Sequence, residues 1–151
     1  MSDDLLRRAF RDATVARLAT IGPDGAPHIA PLWFVWLEDA IYLSTRQGST
    51  TWDNAERDAR VALVIDRGRD WIEQSGVQVT GLATLLPAEH PDMRASMSAW
   101  HEKYRPLFAG DGFERFVEAT PALGFLRVAF GSLRAWDHRA EGSVAGSGGR
   151  A

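Results

Sequence analysis

Cysteine is absent from the 151 residues of this chain, which excludes disulfide bonds, a thiolate nucleophile and cysteine-bound metals. Lysine is almost absent as well, because Lys103 and sixteen arginines make up the 17 basic residues. Such a bias is typical of a GC-rich genome. The four histidines (28, 90, 101 and 138) show no metal-ligand spacing on a shared element, and His28 is expected at the surface. We therefore expect no bound metal, and the sequence assigns no catalytic acid or base.

Long apolar runs and blocks of charge are also missing. The longest apolar segment, 29–37, is too short to cross a bilayer as a helix, and the N-terminus lacks the apolar core of a signal peptide. The net charge of −3 is dispersed, which argues against a dedicated nucleic-acid binder. We expect a cytoplasmic protein with no membrane or nucleic-acid partner. One domain is predicted over 1–137, followed by a disordered Gly/Ser-rich tail over 138–151.

Strand-like segments dominate what is present. Six are predicted, at 14–22, 28–37, 40–45, 60–66, 77–86 and 124–137. The first three are joined by short connections, one of them the turn at 22–25, so these neighbours must be antiparallel. Short helices are predicted near the N-terminus and at 52–58, 91–104 and 112–119. The expected fold is mainly β (α+β): a six-stranded antiparallel barrel, closed or split, with flanking helices.

The second predicted strand carries large apolar side chains on both faces. Those on one face are Leu32, Phe34 and Trp36, and those on the other are Ile29, Trp33 and Val35. A half-solvated strand would alternate with polar residues, so we expect the barrel interior on one side and a helix or partner subunit on the other. Pro31 removes one ladder donor, which predicts a bulge or an edge strand at that position.

The loop after the third strand is the best candidate for a binding site. Its side chains combine four hydroxyls with one guanidinium: Thr45, Arg46, Ser49, Thr50 and Thr51. The helix that follows would direct its free N–H groups at this loop, and the combination suits a phosphate dianion. The alternative is that these serines and threonines serve only as ordinary turn and N-cap residues.

Three segments together resemble the pyridoxamine-phosphate-oxidase-like flavin and deazaflavin proteins, the FMN-binding split barrels. The segments are VARLATIGPDGAPHIAPLWF, LSTRQGS and NAERDARVALVID, in this order. The resemblance implies a split barrel that binds FMN or the deazaflavin coenzyme F(420) at a homodimer interface. It implies that the phosphate is held by Thr45, Arg46, Ser49 and Thr51, and that the ring system lies along Pro31, Leu32, Trp33 and Phe34.

One position departs from the family pattern. Many relatives carry a phosphate-binding lysine where Thr50 and Thr51 stand here. A threonine donates a hydrogen bond but carries no charge, so the lost contact is worth roughly 1–3 kcal/mol. Either Arg46 compensates for the missing charge, or phosphate binding is weak or absent.

Six tryptophans are a second signal, because indole faces stack well on flavin rings. Trp33 and Trp52 flank the expected site. Trp71 and Trp136 are candidates for a contribution from the partner subunit. The alternative for each of them is packing in the core or in a dimer interface.

Three hypotheses about function follow. The first is an oxidoreductase that uses FMN or F(420) to transfer hydride to a small organic acceptor, a reaction in which the cofactor supplies the reactive atom. The GC-rich composition leans slightly towards F(420). The second is a non-catalytic split-barrel dimer that binds or sequesters the cofactor, and the third is a dimer that has lost its ligand. Pyridoxamine-phosphate oxidase activity itself is disfavoured, because Arg134 does not begin the Arg-x-His pattern that the substrate phosphate requires.

Overall fold

The computed structural model describes residues 3–38 and 40–139, which form one antiparallel sheet flanked by helices. The strands are β1 (Ala16–Ile21), β2 (Pro27–Leu32), β3 (Phe34–Leu37), β4 (Ala40–Arg46), β5 (Arg60–Arg67), β6 (Ser75–Leu86) and β7 (Leu123–Asp137). The helices are α1 (Asp3–Phe10), α2 (Thr50–Arg57), α3 (Met93–Tyr104) and α4 (Gly112–Glu118), and none of them is long and apolar enough to cross a membrane. Residues 140–151 of the predicted tail lie outside the described part of the chain.

The sheet has seven strands where six were predicted, because the second predicted strand divides at Trp33. The strand order is β2-β1-β5-β6-β7-β4-β3, so β2 and β3 are the two edges although one residue joins them. Trp33 therefore carries the chain from one edge of the sheet to the other, and the sheet curls into a barrel. The Trp33 carbonyl accepts a hydrogen bond from the Ser44 N–H at 2.9 Å. Pro31 lies on the edge strand β2, as its missing donor predicted.

The barrel interior is filled by the inward side of each strand. Alternate residues of β1 and β5 are buried, which is the two-residue period of a strand with one face in a core. The main residues of this core are Leu18, Phe34, Ile41, Leu43, Leu63, Ile65, Val77, Val79 and Val128. Two helices extend it: α1 contributes Leu6 and Phe10, and α2 contributes Trp52 and Ala55.

A second apolar core lies outside the barrel, under α3 and α4. Trp100 and Tyr104 of α3 are fully buried and pack with Val35 and Phe125. The outer face of the second predicted strand is therefore covered by a helix at Trp33 and Val35, one of the two alternatives that its pattern left open. Ile29, farther along the same face, is 67% exposed.

Candidate functional site

The turn between β4 and α2 is built by residues 46–49. The Ser49 N–H donates to the Arg46 carbonyl at 3.1 Å, and Gly48 adopts a φ of +76°, which residues with a side chain rarely do. Ser49 then caps α2, because its Oγ accepts from the Trp52 N–H at 3.2 Å. The loop thus folds as its local sequence indicates, and α2 begins at Thr50, two residues earlier than predicted.

Hydrogen-bond donors are concentrated in this loop. Thr45 is buried and its Oγ1 lies 3.1 Å from Ser49 Oγ, which ties the end of β4 to the cap. The N–H groups of Thr50 and Thr51 find no acceptor among the described residues, as expected in the first turn of a helix. The side chain of Arg46 is exposed, and it makes no ion pair with any other residue that the structure describes. A guanidinium, hydroxyls and two free amides form a donor set that fits an anion.

His28 joins the loop from β2, although its sequence context indicated only a surface position. Its Nε2 lies 3.3 Å from Thr51 Oγ1, and its side chain is half-buried. The hairpin register sets His28 opposite Thr20, and α2 packs on this hairpin. No local signal could have revealed the contact, because His28 and Thr51 are 23 residues apart and meet only when α2 docks.

The buried side chain of Asn54 fixes α2 on the hairpin. Its Nδ2 donates to Thr20 Oγ1 at 3.1 Å, and its Oδ1 accepts from Arg57 Nη2 at 2.7 Å. Arg57 Nη2 also donates to the Ile21 carbonyl at 3.1 Å. Because both ends of the amide are satisfied, the first turn of α2 keeps a defined position relative to β1 and β2.

Trp52 enters the barrel core rather than the surface of the loop. Its side chain is only 7% exposed, and its indole lies against Gly124 of β7. A Cβ at position 124 would come within 2.7 Å of the Trp52 ring and 2.9 Å of the Leu86 carbonyl oxygen. The glycine therefore makes room for the indole, while a contact between Trp52 and a cofactor stays a prediction.

The side chains of residues 31–34, the segment expected to lie along the flavin ring, differ in how deeply they are buried. Pro31 is exposed, Leu32 is half-buried against the barrel core, and Phe34 is fully buried. Trp33 stacks on Tyr104, with ring centroids 4.4 Å apart and an interplanar angle of 5°. Among these four, only Pro31 presents an exposed side chain, so contacts with a ring would depend on it and on the backbone.

Two side chains of α3 hold the crossover at Trp33. Tyr104 Oη accepts from the Phe34 N–H at 2.7 Å and lies 2.8 Å from the carbonyl oxygens of Phe34 and Thr14. Lys103 Nζ donates to the Phe34 carbonyl at 3.0 Å and sits 3.8 Å from the centre of the Phe34 ring. Burial lowers the pKa of Lys103 to about 8, against the opposing effect of Asp12, and burial raises the pKa of Tyr104.

Trp136 lies far from the loop of its own chain. It pairs with Gly76 and its ring covers that glycine, whereas Arg46 pairs with Leu123 at the start of β7. The thirteen residue steps from position 123 to position 136 correspond to roughly 40 Å along the strand. Within one chain the fold therefore does not bring Trp136 to the predicted phosphate loop.

A cleft of about 690 Å³ lies beside α1, lined by Thr14, Val15 and residues of β1 and β5. Much of its charge is neutralised within the protein, because Arg17 pairs with Asp66 and Arg8 with Asp4. The described residues contain no group of three or more His, Cys, Asp or Glu side chains that could hold a metal ion. The β4–α2 loop thus remains the better candidate for an anion.

Comparisons with known proteins agree with this fold. A profile of the pyridoxamine 5'-phosphate oxidase family matches residues 2–137, and no curated protein matches the chain. The conserved hypothetical protein Rv2991 from Mycobacterium tuberculosis is 26% identical with a TM-score of 0.77, over 94% of this chain and 88% of that one. An FAD-binding protein from Mesorhizobium loti has 18% identity and a TM-score of 0.65, covering 89% and 94%. An F(420) reductase has 16% identity and a TM-score of 0.63, covering 85% and 94%.

Proposed function

Because the chain belongs to the pyridoxamine 5'-phosphate oxidase family, we propose that it is a flavin- or deazaflavin-dependent oxidoreductase. It uses FMN or F(420) to transfer hydride to a small organic acceptor, in the cytoplasm, with the cofactor held at a homodimer interface. The observation that carries the proposal is the donor-rich turn between β4 and α2, which has the chemistry of a phosphate site.

The phosphate end of the cofactor would be held by this turn. Arg46 offers a guanidinium without a competing ion pair among the described residues, and Ser49 and Thr45 contribute hydroxyls. The amides of Thr50 and Thr51 add two donors at the positive end of the α2 dipole. Since Ser49 already caps the Trp52 N–H, the first two amides of the helix remain available to a ligand.

A second subunit belongs to the proposal because one chain supplies few side chains for the ring system. The outer face of β2, β1 and β5 exposes Ile29 next to the small residues Ala19 and Ala62, which forms a shallow apolar surface. Trp71, which is 72% exposed, and Trp136 are remote from the loop of their own chain and could reach a cofactor only from a partner. Contact through this face would remove apolar surface from water.

The cofactor, when bound, supplies the hydride chemistry. The chain's own residues bind the phosphate, position the ring beside the 31–34 segment and limit the access of water. An acid–base pair is not required for this role, and the loop contains none. The likeness to an F(420) reductase and to an FAD-binding protein supports a flavin-type cofactor without choosing between FMN and F(420).

The test of this proposal is a titration of the purified protein with FMN and, separately, with F(420), followed by tryptophan fluorescence. Saturable binding of one cofactor, and turnover when its reduced form meets a panel of small acceptors, is the expected result. Binding without turnover would favour the alternative, a non-catalytic dimer that sequesters the cofactor. Binding of neither would refute both readings.

The Arg46→Ala variant tests the position of the phosphate. Loss of a charge-assisted hydrogen bond costs about 1.5–3 kcal/mol, so affinity for the cofactor should fall roughly 10- to 100-fold. Arg60→Ala is the matched control, because Arg60 is an exposed arginine that pairs with Asp58 at the start of β5. Equal affinities of the two variants would remove Arg46 from the site.

A further inference from the structure

The contact between His28 and Thr51 assigns a further residue to the β4–α2 loop. We propose that His28 is a positioning residue for the phosphate group of the cofactor. It orients the Thr51 hydroxyl and places a basic ring beside the anion. The inference rests on the proposed function, since it concerns the same site.

The hydrogen-bond geometry supports this role. His28 Nε2 lies 3.3 Å from Thr51 Oγ1, and in the arrangement that we propose Nε2 carries the hydrogen, so the ring donates and the hydroxyl oxygen accepts. The hydrogen of Thr51 is then directed away from the ring and is available to another acceptor. The same residue carries one of the two free amides of α2. A phosphate oxygen that accepts from both groups would be held by a hydroxyl whose direction His28 determines.

The charge balance of the loop also supports a role for His28 at the phosphate. A phosphate monoester carries close to two negative charges, and Arg46 is the cation that the loop itself supplies. Arg57, in the last turn of α2, is engaged by Asn54 and by the Ile21 carbonyl. His28 is therefore the second basic group that the fold brings to the first turn of this helix, at a position where Thr51 is only 4% exposed and screening by solvent is reduced.

The experiment compares a ligand that has the phosphate with one that lacks it. FMN and riboflavin are titrated into the wild type and into His28→Gln, which keeps a hydrogen-bonding side chain and removes the basic ring. If the protein binds F(420) instead, F(420) and its phosphate-free deazaflavin chromophore replace this pair. His90→Gln is the matched control, a half-buried histidine in the loop before α3.

We expect His28→Gln to weaken FMN about tenfold and to leave riboflavin within about twofold, with His90→Gln unchanged for both. In a Thr51→Val background the effect of His28→Gln on FMN should shrink, since the two residues act together. Equal weakening of FMN and riboflavin would mean a structural role and overturn the proposal. Full additivity of the two substitutions would overturn the action through Thr51.

The remaining outcomes are also decisive. If the wild type binds neither cofactor, the proposed function fails and this inference fails with it. If the wild type binds FMN and His28→Gln binds it equally well, only the inference fails. Should His28→Gln fold poorly, the ring nitrogen resonances of His28 in the wild type give the answer. They should move on addition of FMN but not of riboflavin, while those of His90 stay in place.

Discussion

Removal of the Tyr104 hydroxyl should destabilise the protein strongly, because this one oxygen atom satisfies buried hydrogen-bonding groups of the backbone. In Tyr104→Phe the Phe34 N–H loses its acceptor at 2.7 Å in a fully buried environment. An unsatisfied buried donor costs about 1–3 kcal/mol, and the hydrogen bond that the hydroxyl donates to a carbonyl adds about 1 kcal/mol. The Phe34 carbonyl keeps Lys103 as a donor, so its own penalty is small. We expect a loss of about 2–4 kcal/mol in the free energy of unfolding.

The assay is urea unfolding followed by tryptophan fluorescence, with Tyr42→Phe as the control. The Tyr42 hydroxyl is only half-buried and accepts from Arg127 Nε at 3.2 Å, so its removal should cost less than about 1 kcal/mol. For a chain of this size the Tyr104→Phe loss corresponds to a fall in Tm of roughly 10 °C. If both variants lose the same stability, the hydroxyl of Tyr104 does not hold the crossover between β2 and β3.

Two further predictions concern buried sites. Burial lowers the pKa of Lys103 to about 8, so above that pH the folded protein has released a proton that the unfolded chain still binds. The free energy of unfolding of the wild type should therefore rise relative to Lys103→Met between about pH 8 and 10.5, by ~1–2 kcal/mol after allowance for solvent screening. A difference independent of pH in urea titrations would contradict this. Gly124→Ala should cost about 1–3 kcal/mol and change the near-UV circular dichroism of Trp52, because its Cβ would meet that ring at 2.7 Å. Gly112→Ala, with its nearest neighbour at 3.4 Å, should cost little, and equal losses in calorimetry would refute the steric argument.

The β-rich fold and its helices could be predicted because their signals are local. The turn at 22–25 forms as expected, with Gly25 at a φ of +82°. The helix predicted over 91–104 forms as α3 and packs on the barrel, with Met93, Trp100 and Tyr104 buried. Ser49 caps α2 through its hydroxyl, which the residue type indicates. Each of these features depends on residues a few positions apart.

The environment of the candidate site could not be predicted in the same way. The large apolar residues on both faces of 28–37 indicated burial on two sides, but they could not show that the strand breaks at Trp33 and that Trp33 stacks on Tyr104. The sequence alone does not distinguish a tryptophan that contacts a flavin from one that packs in the protein core. The position of His28 was missed for a related reason, because the contact with Thr51 depends on how α2 docks.

Apart from the strand break at Trp33, the sequence by itself determined the strands, the main turns, the Ser49 cap and the composition of the β4–α2 loop, because side-chain periodicity and backbone preference act over short distances. Only the tertiary structure decided which residues meet at that loop. The closure of the barrel through Trp33 brings β2 beside α2, and the packing of Trp52 against Gly124 and of Asn54 against Thr20 determines where the helix begins its first turn. Contacts between residues distant in the chain follow from the packing of whole elements, and no short segment contains that information.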